Sequence, residues 1–280
     1  MTLNSKIIPV RTFNGSATVA EPFPSELATI PNLQAFFCAD YNTVSSGNTQ
    51  QTWTNILGDT AYDLTQATAG NRPAISTSAF IGGKKFLAFN GATNSRIMTN
   101  ASSGLTATKN VAAFSCAVVW VSNTTSAAQQ AVHFNNGTVA AQSRFVINKT
   151  AGNFDDVGGR KSDGNSFAGS NSSNTLPNGT WHITVGCIDY FNCNTALYRN
   201  GTLVAGLSGT FQAPTGSNTS NTNSLSMSIG AIDTSTNRLN GGIALVLFGT
   251  GYWATATIGS ETVEEYITRV CGSYYGLAVS

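Results

Sequence analysis

The stretch Asn240-Gly-Gly-Ile-Ala-Leu-Val-Leu-Phe-Gly249 sets six consecutive apolar residues between a glycine pair and a further glycine. Six residues are too few for an independent helix, and without polar alternation the segment has no side to turn to water. It reads as a strand lying inside a sheet that is covered on both faces, with the glycine pair supplying a turn before it. The rest of the chain has to wrap around such a strand.

Other segments carry the same period-two signal. Val111 to Val121 places Phe114, Cys116, Val118 and Trp120 on one face and Val119 and Val121 on the other. Strands are predicted also at Leu33–Cys38, Phe86–Gly91, Ala131–Phe134, Ser143–Asn148, Thr180–Asp189 and Leu225–Gly230. Leu197-Tyr-Arg-Asn-Gly-Thr-Leu-Val204 reads as a hairpin, because Asn200-Gly201 suits the two positive-φ positions of a type I′ turn. One helix is predicted, from an N-cap at Ser260, with Glu261, Glu264 and Glu265 in its first turns and an apolar stripe of Val263, Ile267, Val270 and Tyr274. About a dozen short strands with turns between them and one late helix indicate an all-β, two-sheet antiparallel sandwich.

The 280 residues suffice for one large β domain, burying about 75% of the unfolded surface. Only 10% of residues are charged and the formal net charge is +1. Such a balance offers no electrostatic hold on nucleic acid or anionic membrane. A surface of Asn, Thr, Ser and Gly suits extracellular adhesins and virion proteins whose partner is sugar or protein; it is equally the surface of any polar soluble domain. The five cysteines (Cys38, Cys116, Cys187, Cys193, Cys271) sit in apolar segments and read as buried free thiols, and with two histidines a zinc site does not follow. No signal peptide or membrane-spanning run is visible, so the expectation is a fold formed in a reducing cytoplasm and released by lysis or by particle assembly.

Residues 1–27 carry Pro9, Pro22 and Pro24 and lack the periodicity of the body at 28–280. They read as an extended N-terminal arm. Ile7, Ile8, Val10, Phe13 and Phe23 give the arm more apolar surface than a free tail carries, so it is expected to dock on another copy in a homo-oligomer or on a different protein of the same particle.

A family resemblance emerges from motifs in order: Phe36-Phe37-x-x-Asp40, Trp53, Gln66-Ala-Thr-Ala-x-Asn-Arg-Pro73, Phe89-Asn-Gly91, Trp181, Leu197-Tyr-x-Asn-Gly201, Ile229-Gly-Ala231, Asn240-Gly-x-Ile-Ala244 and Tyr274-Tyr-Gly276. Over about residues 30–278 the chain resembles the laminin-G-like, concanavalin A-like lectin jelly rolls of bacterial surface proteins and phage virion proteins. The resemblance implies a carbohydrate- or protein-binding sandwich, and some relatives with this fold hydrolyse glycans with two carboxylates at alternate positions of one strand. No acidic pair at i and i+2 occurs in a predicted strand here; Asp155 and Asp156 are adjacent and would face opposite ways. His133 and His182 read as ordinary strand residues, and no serine has a positioned histidine.

The densest polar stretch runs from Asn153 to Asn165. Two readings stand for it. Asp155, Asp156 and Asp163 would bind Ca²⁺, or Arg160, Asn165 and Phe167 would grip a sugar; alternatively it is a solvated hairpin loop held by its own Asp–Arg pairs, since the spacing matches no defined calcium loop. Trp53, Trp120, Trp181 and Trp253 are a stacking face for sugar or, for three of them in apolar strands, core. The sequons at Asn14, Asn123 and Asn200 follow from composition. The resulting expectation is a non-enzymatic virion protein, from a phage, displaying a glycan- or protein-binding jelly roll for decoration or host attachment, without cofactor. A bacterial carbohydrate-binding or adhesin module is the alternative, and a glycan-cleaving enzyme the third.

Overall fold

The computed structural model describes residues 23–41, 43–46, 48–91, 97–99, 111–124, 127–135, 143–160, 168–207, 226–231 and 237–280. Its strands are β1 (Leu33–Cys38), β2 (Thr43–Ser46), β3 (Thr49–Trp53), β4 (Leu64–Thr65), β5 (Ala74–Ser78), β6 (Lys84–Asn90), β7 (Ile97–Thr99), β8 (Ala113–Ser122) and β9 (Gln129–Asn135). They continue with β10 (Ser143–Lys149), β11 (Phe154–Gly159), β12 (Ala168–Thr175), β13 (His182–Asp189), β14 (Asn194–Arg199), β15 (Thr202–Leu207), β16 (Ser226–Ile229) and β17 (Asn240–Gly249). A small hairpin, β18 (Thr257–Ile258) and β19 (Glu261–Thr262), leads into the helix α1 (Val263–Tyr275).

All pairings are antiparallel, and the strands form the two sheets of a jelly-roll sandwich. The first sheet runs β15–β14–β13–β8–β17, where β6 takes the Asn240–Ile243 part of the far edge of β17 and β1 takes Leu245–Gly249. The second runs β12–β11–β10–β9–β16–β7–β4.

As the sequence demands, β17 is covered on both faces. Ile243, Val246 and Phe248 point between the sheets, where Phe114 meets Phe134 at 4.8 Å and Phe145 at 5.0 Å, and Phe248 meets Phe134 at 4.9 Å, all near right angles except the tilted Phe248–Phe114 pair. Ala244, Leu245 and Leu247 point the other way, against Trp253 and the Ile267, Cys271 and Tyr275 stripe of α1. A bulge between Ile243 and Leu245 lets Ala244 and Leu245 share the helix side, and so keeps the later alternation in register with the inter-sheet core.

Gly241 and Gly242 belong to β17 and form no turn, contrary to the sequence reading. A Cβ on Gly241 would overlap the Val121 carbonyl, and one on Gly242 would lie 2.5 Å from the Phe86 ring. These glycines serve close approach between packed layers. The Asn200-Gly201 turn has the expected geometry, with φ of 50° and 88°. The helix cap lies two residues later than Ser260. Thr262 Oγ1 accepts from Glu265 N at 3.1 Å while Glu265 Oε2 accepts from Thr262 N at 2.7 Å, a reciprocal capping box, and Glu261 instead pairs with Arg269. All four tryptophans are core. The five cysteines are free, Cys193 being half-buried and the others buried.

Candidate functional site

Side chains on the second sheet alternate between core and outer face. Val132, Phe134, Phe145, Ile147, Val157 and Ile229 fill the core. By alternation, His133, Asn148, Asp156 and Ser228 take the outer face, and a bulge in β9 opposite Ile147 and Asn148 brings Gln130 to the same face as Asn148. Cross-strand register sets them in two rows: Gln130, Asn148, Asp156 and Asn171 lie abreast, and beside them Ser228, His133, Val146 and Gly158. Amides, an imidazole, a hydroxyl and a carboxyl thus share one surface, with glycines at 158 and 169 leaving its β11–β12 end without side chains. A Cβ at Gly169 would come within 3.0 Å of Asp156 Oδ1, so glycine there keeps the carboxyl unobstructed. Arg160, also buried, follows directly at the end of β11.

Gln130, His133, Asp156 and Ser228 are all buried on this face. With its amide turned so that nitrogen faces the carboxylate, Asn148 donates to Asp156 Oδ2 at 2.8 Å. Burial pushes the Asp156 carboxyl up to about 7, the Asn148 bond opposing and the nearby Asp155 charge adding to the rise. At neutral pH this group therefore both accepts and donates hydrogen bonds, which suits a ligand presenting hydroxyls.

The sequence-predicted loop is corrected by this arrangement. Over the described residues 153–160 it is not a solvated loop held by its own Asp–Arg pairs: Phe154–Gly159 is a strand, buried from Asp155 onward. Asp155 and Asp156 face opposite sides of it, so they cannot ligate one calcium ion together. Asp155 points between the sheets and accepts from Arg199 Nε at 2.5 Å. Asp163, Asn165 and Phe167 lie outside the described residues, as do Ile7, Ile8, Val10 and Phe13 of the arm. Phe23, expected to dock on a partner, packs within its own domain, 4.4 Å from the Tyr41 ring and 6.0 Å from Phe36.

His182 lies inside the sandwich, 4.8 Å from the Trp120 ring with Nδ1 at 3.1 Å from Thr180 O, and burial pushes its pKa down. The Cys38 and Cys187 thiols are pushed up to about 12 by burial, far from the thiolate state that a nucleophile needs. Gln130, Asn148 and Ser228 were not singled out by the sequence. Their signal is the polar half of strands whose apolar half was read as core.

No protein-family model matches the chain, and no curated protein matches it. Among solved structures it is similar to domain 4 of AbnA, an extracellular arabinanase from Geobacillus stearothermophilus in complex with arabinotriose, with TM-score 0.54 and 15% identity over 86% of this chain and 98% of that one. It is similar also to a Trypanosoma rangeli sialidase, with TM-score 0.55, 9% identity and 86% of this chain covered, and to the binding domain of botulinum neurotoxin DC in complex with SialylT, with TM-score 0.50, 13% identity and 87% covered. The chain spans 33% of the sialidase's length and 51% of the toxin domain's. At these identities the likeness is one of fold.

Proposed function

We propose that this domain is a non-catalytic carbohydrate-binding module that reads glycan hydroxyls with the outer face of the second sheet. The observation that carries the reading is the double row of Gln130, His133, Asn148, Asp156 and Ser228 on one face. Buried polar side chains cost free energy against apolar ones of the same volume, so a sheet that keeps four of them together beside the half-buried Asn148 is maintaining a hydrogen-bonding surface. The similar domains solved with arabinotriose and with SialylT support the ligand class. The opposed directions of Asp155 and Asp156 support binding over hydrolysis, because a glycosidase needs two carboxyls converging on one bond.

The test is a glycan array followed by calorimetry on Asn148→Ala and Gln130→Ala. Each should weaken binding by about tenfold, the worth of a hydrogen bond of roughly 1.4 kcal/mol. A chain that binds no glycan, or variants that bind like the parent, would sink the assignment. The finer setting, display on a phage virion through the N-terminal arm, is supported by the charge-poor surface and by the apolar residues of the arm; genes for capsid or tail proteins beside this one are its test.

A further inference from the structure

On the opposite side of the first sheet, Phe80 stands 80% exposed, the most exposed large apolar side chain among the described residues. It is not a loose loop residue. It occupies the short turn between β5 and β6, whose last pairing is Ser78 with Lys84. Its backbone N–H is held by Ser78 Oγ at 3.2 Å, and the next residue, Ile81, is rooted in the helix-side core. Gly82 closes the turn at φ 64°, a left-handed position that favours glycine. The fold therefore holds the backbone of Phe80 at a defined place with its ring in water.

Beside that ring lies a cleft of about 280 Å³, walled by Thr180, Trp181, Asn200, Leu277 and the backbone of Gly179. Three of its lining residues are tied down through their main chain. Gly179 N donates to Ser122 O at 2.7 Å, Asn200 N to Ile183 O at 2.9 Å, and Leu277 N to Gly272 O at 3.0 Å. Asn200 Oδ1 is used on Ile183 N at 2.8 Å, which turns its NH₂ into the donor left for a ligand, with the exposed Thr180 hydroxyl nearby. Not one side chain lining the cleft is ionisable.

From this geometry we infer a second saccharide site, selective for neutral sugar, in the cleft between Phe80 and Asn200. A sugar ring has an apolar C–H face and an edge of hydroxyls. Phe80 supplies the apolar plane, Asn200 and Thr180 the polar edge, and the main-chain bonds of Gly179, Asn200 and Leu277 reduce the ordering cost of binding. An anionic sugar would enter without a cation to meet it, so a carboxylated or phosphorylated glycan is disfavoured. The choice of ligand class rests on the carbohydrate-binding reading above, but the site is separate. The first sheet and the inter-sheet core stand between it and the polar face, so a chain with both sites engages two glycan segments on opposite sides.

The experiment titrates the 280-residue chain with maltopentaose, cellopentaose and arabinopentaose, and with sialyllactose as the charged probe, by calorimetry and tryptophan fluorescence. Phe80→Ala, an exposed change that leaves the core intact, should weaken a neutral oligosaccharide by about tenfold, and Ala278→Trp, which fills the cleft, should abolish the binding that Phe80→Ala weakens. No binding of any neutral oligosaccharide, or binding indifferent to both cleft changes, overturns the inference. If sialyllactose binding then falls with Asn148→Ala, the polar-face reading stands while the cleft site falls. Loss of self-association in Phe80→Ala without sugar binding overturns it as well, in favour of a protein contact.

Discussion

Arg199 Nε donates to Asp155 Oδ2 at 2.5 Å, joining β14 of the first sheet to β11 of the second across 44 residues of sequence. The same guanidinium also donates to the carbonyls of Asn174 and Thr175 and to Ser172 Oγ, so one arginine ties both sheets and the end of β12 together. Asp156, the next residue, faces the other side of the strand and pairs with an amide. Adjacent carboxyls therefore sit in opposite electrostatic settings, one matched by a cation and one desolvated with no cation paired to it among the described residues.

These settings predict opposite outcomes for the same substitution. Asp155→Asn leaves a guanidinium only 13% exposed without its counter-charge and should cost about 3 kcal/mol. Asp156→Asn replaces a half-protonated carboxyl with a neutral group of the same shape and should cost less than about 1 kcal/mol at pH 7. Urea unfolding of both variants measures this, and equal losses would contradict the assignment.

The raised carboxyl also sets a pH dependence. Folded, Asp156 titrates near 7; unfolded, in the usual range near 4. Between those values the native state holds a proton that the unfolded chain has released, so this group makes stability fall as pH rises through the window. Glu264, pushed up to about 7 by burial, acts in the same direction. His182, pushed down by burial, acts in the opposite direction below about pH 6.5, but it is common to parent and variant and cancels in their difference. Asp156→Asn should therefore gain on the parent by about 2 kcal/mol between pH 5 and pH 8. A difference that stays flat across that range would show that the carboxyl is not desolvated.

Gly241 offers a test of close packing at the centre of the fold. Its two neighbours in register are Phe89 on β6 and Ser122 on β8, and a methyl group there would meet the Val121 carbonyl. Gly241→Ala should cost about 3 kcal/mol or more. Gly70→Ala, where a Cβ meets nothing within 4 Å, should be neutral. Thermal melts of the pair decide the point.

Much of the sandwich was legible because its signals are local. The unbroken apolar run of β17 required two covered faces, and Asn200-Gly201 required a hairpin. Gly241-Gly242 misled because a glycine pair marks a turn in one dimension, whereas here it answers to Val121 and Phe86, more than a hundred residues away in the chain. Asp155 and Asp156 were taken for a solvated loop because charge usually marks one. Their strand is made tolerable by Arg199 and Asn148, and neither partner is visible from positions 153 to 165. Of the polar face, Asp156 and Arg160 were named from charge density, while Gln130, Asn148 and Ser228 needed the register of four strands. Phe80 carries no periodic signal at all, since its exposure follows from the burial of its neighbour Ile81.

Phe23 redraws where the arm begins. Its ring lies against Phe36 and Tyr41 in the helix-side core, and Leu27 behind it is fully buried, so the packed body includes residues 23–27 that the sequence assigns to the arm. Phe23→Ala should cost about 3 kcal/mol, as truncation of a buried aromatic does. A chain beginning at Pro22 removes none of that core and should unfold within about 0.5 kcal/mol of the full chain. Docking on a second copy or on another protein is proposed for Ile7, Ile8, Val10 and Phe13, the apolar residues that remain to the arm. Sedimentation of the two chains then separates the roles: the full chain should self-associate and the shortened one should run as a folded monomer. If the shortened chain associates as the full one does, the contact lies on the sandwich, and the arm has no part in it.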